Sequence, residues 1–251
     1  MVDTLACDIC VIGAGSGGLS VAAGASQMGA STILIERAKM GGDCLNYGCV
    51  PSKALIAAAH AAQAVRRAPM FGVNASPPEI DFGKVHDHVH DVIAQIAPHD
   101  SVERFEVFGV TVILDHARFT GPREVAAGGK LIRARRFVIA TGSSPATPPI
   151  PGLDQVPFFT NETIFDCREA PGHLMVIGGG PIGVELAQAF CRLGVKVTIL
   201  EMFGVMGRDD PDCVAVMVEA LREEGVRFAH GKAKAVSGAA GSVRSCAIVR
   251  R

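Results

Sequence analysis

Near the start of the chain the apolar residues come in short unbroken runs, Ile9-Cys10-Val11-Ile12 and Ile33-Leu34-Ile35, and the stretch between them places its apolar positions at helical spacing. Runs of that length without alternation read as strands buried on both faces, and the intervening stretch as a crossover helix. The pattern predicts a strand at 8–12, a turn at 13–18, a helix at 19–28 and a strand at 31–36. The same order returns as a strand at 173–177, a turn at 178–183, a helix at 184–193 and a strand at 195–201.

Between the copies the spacing predicts a helix over 50–67, a break over 69–78 and a second helical stretch over 81–108. Short strands are predicted at 110–114, 124–127, 130–135 and 136–140. The Pro-rich segment 144–151 punctuates the chain and sets a boundary between a domain at 1–148 and a second at 149–251.

Composition narrows the class. Hydrophobic residues are 49% of 251, with no Trp and one Tyr, which suits closely packed α/β layers in two nucleotide-binding domains of ordinary size. Lys and Arg number 24 against 25 Asp and Glu, so no large field attracts nucleic acid or anionic lipid, and neither partner is expected. The first apolar run is too short to span a membrane and has no basic leader, which points to a cytoplasmic protein.

The two turns carry the chemistry. Gly13-Ala14-Gly15-Ser16-Gly17-Gly18 and Gly178-Gly179-Gly180-Pro181-Ile182-Gly183 both read G-x-G-x-x-G between a strand and a helix. Gly13 and Gly178 permit the tight turn, Gly15 and Gly180 admit a pyrophosphate, and Gly18 and Gly183 let helix and strand pack closely. The positive end of each helix then faces the phosphates. Glu36 and Glu201 stand at the ends of the following strands, placed to accept from an adenosine ribose. With Glu201 followed by Met202-Phe203-Gly204 and no Arg, NAD is favoured over NADP at the second turn.

Most of the eight cysteines read as buried thiols. Cys7-Asp8-Ile9-Cys10 has the C-x-x-C spacing but falls in a strand. Three extended steps separate its Cα atoms by roughly 10 Å and turn the side chains to opposite faces, beyond disulfide reach. Cys44 and Cys49 differ, because they lie where a helix opens. A regular helix would climb roughly 7.5 Å between them, so closure needs the irregular turn that Asn46 and Gly48 tolerate. Pro51 suits the first helical turn. The helix N-terminus and Lys53 supply positive potential that lowers a thiol pKa and favours disulfide exchange. A zinc half-site and two inert cysteines are the alternatives, and no second ligand pair stands out for zinc. His86 and His90 would share a helix face, but one pair without a third ligand reads as polar surface, and no metal site is expected.

Gly41-Gly42-Asp43-Cys44-Leu45-Asn46-Tyr47-Gly48-Cys49-Val50-Pro51-Ser52-Lys53 resembles the signature of the class I pyridine nucleotide-disulfide oxidoreductases, nearest to the dihydrolipoamide dehydrogenase and mercuric reductase branches. The resemblance covers nearly the whole chain. It implies an α/β fold of two Rossmann-like FAD/NAD(P)-binding domains, three-layer ββα, with FAD at the first turn and the nicotinamide dinucleotide at the second. It makes Cys49 the sulfur facing the flavin and Cys44 the thiol that attacks substrate, with Lys53 near the flavin and paired to Glu185. It places cofactor contacts at Gly13, Gly15, Ser16, Gly18, Glu36, Gly42, Asp43, Lys53, Ala117, Thr141, Gly142 and Ser143, and at Gly178, Gly180, Pro181, Ile182, Gly183, Glu185 and Glu201. Ala140-Thr141-Gly142 matches the family's short flavin-contacting segment.

The implied reaction is a two-electron relay between NAD(P)H, flavin and the Cys44/Cys49 disulfide to a lipoamide-like disulfide or dithiol. A metal ion such as Hg(II) is the alternative substrate, and a nucleotide-binding fragment without catalysis or a flavin enzyme with a non-thiol acceptor are further readings. Asp43 replaces a Thr common in the family and adds negative charge beside Cys44, raising its pKa. The family continues into a dimerisation domain carrying a His-Glu pair, and its full-length members are homodimers. Here no HPxxxxE-like segment occurs before Arg251. The expectation is a second domain that is incomplete, an absent dimerisation domain, a monomer open for this chain, and incomplete turnover. Residues 232–251 hold five basic residues and no acids, and read as an unfinished β-hairpin or a shifted reading frame.

Overall fold

A computed structural model describes residues 3–238 and, as backbone, 245–249. The chain divides into two compact units, Met1–Val50 with Asp91–Ser143, and Pro51–His90 with Ser144–Arg251.

The first unit begins with β1 (Thr4–Ile12), α1 (Ser16–Gln27) and β2 (Thr32–Glu36). A five-residue helix α2 (Gly42–Asn46) leads to α3 (Cys49–Arg67), and α4 (Phe82–Ile96) follows. Both α3 and α4 carry residues of each unit. The first unit then adds α5 (Val102–Val107), β3 (Val110–Leu114), β4 (Arg118–Gly121), β5 (Glu124–Ala127) and β6 (Lys130–Ile139). Its sheet runs β3-β2-β1-β6-β5-β4, parallel through β6 and antiparallel beyond it. One core cluster holds Val11, Leu19, Ala22, Leu34 and Phe105, and a second holds Cys7, Cys10, Ile33, Ile35, Val125 and Ile132. All five residues of β2 are buried, as an unbroken apolar run requires.

The second unit contains β7 (His173–Ile177), α6 (Pro181–Arg192), β8 (Lys196–Glu201), α7 (Pro211–Glu223), β9 (Arg227–His230) and β10 (Ser245–Val249). Its order is β10-β7-β8-β9, all parallel. Each unit is thus an α/β layer built on the strand-turn-helix-strand device, a Rossmann-like arrangement.

Several expectations change. The stretch 81–108 is not one helix: α4 ends at Ile96, Pro98 sits in a 3-10 turn at Ala97–Asp100, and Ser101 caps α5 through the Arg104 N–H. The two strands expected at 130–135 and 136–140 are one, β6. The strands β4 and β9 and the helix α7 were not foreseen. Residues 239–244 and 250–251 of the expected hairpin lie outside the described residues, and β10 pairs parallel with β7, which is not a hairpin.

Cys7 and Cys10 do not point to opposite faces, since both join one core cluster. The amides of Asp8 and Ile9 both donate to Ser31 O, at 3.0 and 3.1 Å, so two residues of β1 oppose one and the alternation slips at this bulge. Burial pushes the two thiols up to about 11 and about 12. Thiols so raised are protonated at neutral pH.

Candidate active site

Three residues separate β1 from α1, and they turn the chain with Gly13 at φ +104°. A side chain at Gly13 would overlap the Ala140 carbonyl, so the loop and the segment Ala140-Thr141-Gly142 lie against one another. A side chain at Gly18 would overlap the Gly13 carbonyl, which is the close packing that the sequence required. Ser16 opens α1, and Thr141, Gly142 and Ser143 follow β6, with Gly142 at φ +66°. Ala117 packs against the Cys7/Cys10 cluster.

Glu36 is buried, and its two carboxylate oxygens accept the amides of Ala14, at 2.6 Å, and Ala38, at 2.7 Å. The second loop repeats this bracing. Gly178 has φ +110°, a side chain at Gly183 would overlap Gly178 O, and buried Glu201 accepts from the amides of Gly179 (2.7 Å), Met202 (2.8 Å) and Phe203 (2.9 Å). Both acids therefore hold their own glycine loop in shape. That second task is invisible in a spacing argument, which assigned them to ribose alone.

The residues fit the dinucleotides that their loops imply. Gly15 and Gly180 open α1 and α6 without any side-chain cap, and neither helix has an acid in its first turn. By contrast Ser101 caps α5 and Asp210 caps α7. Uncapped N–H groups at a positive helix end suit a pyrophosphate, and glycine leaves it room to approach. Pro181 takes the first helical position, and Ile182 beside it is exposed. A cavity of about 470 Å³ in the first unit is lined by Arg123, Arg133 and Arg135, two of which are already engaged by Glu124 and Asp8. A second, of about 350 Å³, is lined by Ile150, Gly178, Glu201, Phe203 and Lys232, beside the second loop.

The cysteine pair sits where two helices meet. α2 ends at Asn46, Tyr47 leaves helical geometry at φ −141°, and α3 starts at Cys49. Asn46 Nδ2 donates to Met40 O at 3.0 Å and to Gly42 O at 2.8 Å, which ties the turn down. A side chain at Gly48 would come within 3.1 Å of Asp43 O and Oδ2. The loop is also joined to the first dinucleotide turn: Gly15 and Gly41 form a bridge, and a Cβ at Gly42 would stand 2.6 Å from Gly15 Cα. Cys44 is half-buried, Cys49 is exposed, and no disulfide joins them.

Burial pushes the Cys44 thiol above its ordinary range, the hydrogen bond and charge interaction with the Cys49 sulfur raise it further, and Asp100 adds to the rise. The Cys49 backbone N–H opposes it. The rise has the direction expected for Cys44 from a neighbouring acid, and the lowering expected of a thiol at the helix end does not prevail at this sulfur, because desolvation and the neighbouring sulfur outweigh it. One acid acting on Cys44 is Asp100, fifty-six positions away in the chain. Sequence spacing carries no signal for that approach.

In the second unit Lys53 Nζ donates to Glu185 Oε1 at 2.7 Å, so the pairing implied by the resemblance is present, with Lys53 on α3 and Glu185 on α6. Both side chains are substantially exposed. His86 and His90 stack at 4.3 Å between ring centres, and the helix is clasped to the 164–168 segment. His90 Nε2 bonds Phe165 O at 3.2 Å and Arg168 grips Asp87 at 2.7 and 3.1 Å. Among the described residues no group of three or more His, Cys, Asp or Glu could hold a metal ion, and no helix is long and apolar enough to cross a membrane.

Comparison with known proteins bears on the same features. The family model described as "Pyridine nucleotide-disulphide oxidoreductase" matches residues 7–248. A mercuric reductase of Streptomyces lividans is 38% identical over 227 residues, covering 87% of this chain and 48% of that protein. A dihydrolipoyl dehydrogenase of Thermus scotoductus is 36% identical over 232 residues, covering 89% and 48%. Among solved structures, a Cu(II) complex of the HOCl-induced flavoprotein disulfide reductase RclA from Escherichia coli superposes with TM-score 0.83 at 25% identity, covering 98% of this chain and 56% of that one. The chain spans about half the length of these relatives.

Proposed function

The chain belongs to the pyridine nucleotide-disulphide oxidoreductase family, whose members use FAD and NAD(P)H, and on that footing we propose that Cys44 and Cys49 relay two electrons to an external disulfide. The observation that carries this reading is the pair itself: two thiols whose sulfurs interact across a broken helix, on a loop bridged to the first glycine turn.

In the relay the Cys44 thiolate attacks one sulfur of the substrate disulfide and the other sulfur leaves as a thiol after protonation. Cys49 then attacks Cys44, releases the second substrate thiol and closes the Cys44–Cys49 disulfide. When bound, FAD and the nicotinamide supply the hydride chemistry that returns two electrons to this disulfide. The uncapped end of α1, with Gly13, Gly15, Gly18 and Glu36, would hold the flavin dinucleotide in a domain at 1–148. The end of α6, with Gly178, Gly180, Gly183 and Glu201, would hold NAD in a domain at 149–251. Lys53, oriented by Glu185, would present its charge to the flavin.

A Hg(II) substrate is a second reading, supported by the relatives named mercuric reductase. Two thiolates would bind the ion as substrate, and two electrons supplied by the nicotinamide through the flavin would reduce it to the metal and leave both sulfurs as thiolates.

The test is exchange with an oxidised dithiol, read by peptide mass spectrometry. A Cys44–Cys49 linkage that forms, and that NADH with bound FAD reverses, is the expected result. Failure of the two cysteines to join while other thiols react would remove the proposal. Substrate choice is then read by comparing NADH oxidation with lipoamide and with Hg(II).

A further inference from the structure

The 3-10 turn Ala97–Asp100, forced by Pro98 between α4 and α5, brings a carboxylate to the head of the cysteine loop. A Cβ at Gly41, which precedes α2 at φ +82°, would stand 3.0 Å from Asp100 Oδ2. Cys44 lies three residues further on, in the first turn of α2. Among the described residues no hydrogen bond or ion pair engages the Asp100 carboxylate, whereas the Asp43 carboxylate lies toward Gly48. Leu45, buried beside Gly41, occupies the other flank. The titratable groups that act on Cys44 are Cys49 from α3 and Asp100 from the 3-10 turn, with Asp43 its chain neighbour in α2.

We propose that Asp100 is a positioning residue for the redox pair: its uncompensated carboxylate opposes ionisation of Cys44 and keeps the proton of the reduced pair on that sulfur. A negative charge at short range disfavours a thiolate. The rise in the Cys44 thiol to which Asp100 contributes agrees with this placement. In function, which rests on the relay proposed above, Cys44 would attack substrate only as its proton passes to the leaving substrate sulfur, so the resting dithiol is protected from adventitious oxidants.

The experiment uses the full chain with Cys49→Ser, and follows alkylation of Cys44 by iodoacetamide against pH, resolved by peptide mass spectrometry. Asp100→Asn should move the midpoint down and raise the rate at neutral pH about three-fold or more, the change for half a pKa unit. Asp100→Glu should restore the parent profile, which a merely structural role would not do. An unchanged profile in Asp100→Asn, or an equal change in Asp100→Glu, overturns the proposal. Should the Asn variant not fold, the parent profile is measured at about 0.01 M and about 1 M salt, where the screening length falls from about 30 to about 3 Å. The midpoint should fall with salt, and one that stays fixed overturns the proposal. Disulfide formation in the chain with both cysteines is scored separately, so loss of the relay reading is distinguishable from loss of this one.

Discussion

Replacing Gly42 by Ala tests whether the cysteine loop is seated on the dinucleotide turn by direct backbone contact. Two costs are separable. Gly42 has φ +54°, where a side chain is disfavoured by roughly 1–2 kcal/mol. The new Cβ would also meet Gly15 Cα at 2.6 Å and Gly15 N at 3.2 Å. Those are backbone atoms, which cannot swing away, so the loops must part by roughly half an ångström, an overpacking cost of about 1–3 kcal/mol. The sum is about 2–5 kcal/mol, or about 4–20 °C in Tm at roughly 2–4 °C per kcal/mol for a chain of this size.

Two other glycines provide the scale. Gly72 has φ +80° but nothing within 4 Å of a Cβ, so Gly72→Ala carries the conformational cost alone. Gly17 lies in α1 with neither strain nor neighbour, so Gly17→Ala should stabilise by about 0.4–1 kcal/mol. Thermal and urea unfolding of the three variants, with flavin content after reconstitution, should give the order Gly17→Ala above parent, Gly72→Ala below it and Gly42→Ala lowest. Gly42→Ala alone should also lose flavin. Equal effects at Gly42 and Gly72 would refute direct seating.

Lys53→Met and Glu185→Gln remove an exposed pair, with side chains 64% and 33% accessible, so each should cost less than about 1 kcal/mol in unfolding while slowing NADH-dependent flavin reduction. A large melting shift would instead make the pair structural. Burial opposes ionisation of Glu224, yet Arg192, 2.6 and 2.7 Å away, together with Gln188, holds its carboxyl below the usual range. A depressed folded pKa gives stability that is complete above the unfolded value and is lost as pH falls through the folded one. Arg192→Ala should cost about 1–3 kcal/mol at pH 7 by leaving a half-buried carboxylate without its main partner, and the loss should shrink toward pH 3 in denaturant titrations. A pH-independent loss would point to packing alone. Cys7 and Cys10, raised to about 11 and about 12, should stay unmodified by a disulfide reagent in the native chain at pH 7 while Cys49 reacts. Rapid modification of either would mean that β1 opens.

Much of this was legible in one dimension because it is local. The unbroken run of β2, the glycine turns and the boundary at Cys49 follow from spacing within a few residues, where sterics and burial act on neighbours. The single helix expected over 81–108 failed at Pro98, a breaker whose effect local rules state but whose outcome depended on Ser101 capping a new helix. The opposite-face reading of Cys7 and Cys10 failed because the bulge at Asp8 and Ile9 is set by the Ser31 carbonyl on the neighbouring strand. Glu36 and Glu201 were found by their spacing, but their bracing of Ala14 and Gly179 was not.

The sequence by itself determined the repeated strand-turn-helix units and the identity of the cysteine pair, since glycine, proline and apolar periodicity constrain the backbone through nearest neighbours. Only the tertiary structure decided the electrostatic setting of Cys44. Burial, the adjoining Cys49 sulfur and Asp100 act through space, and one of the charges arrives from a turn distant in sequence, since Coulomb interaction depends on separation and dielectric and not on chain position.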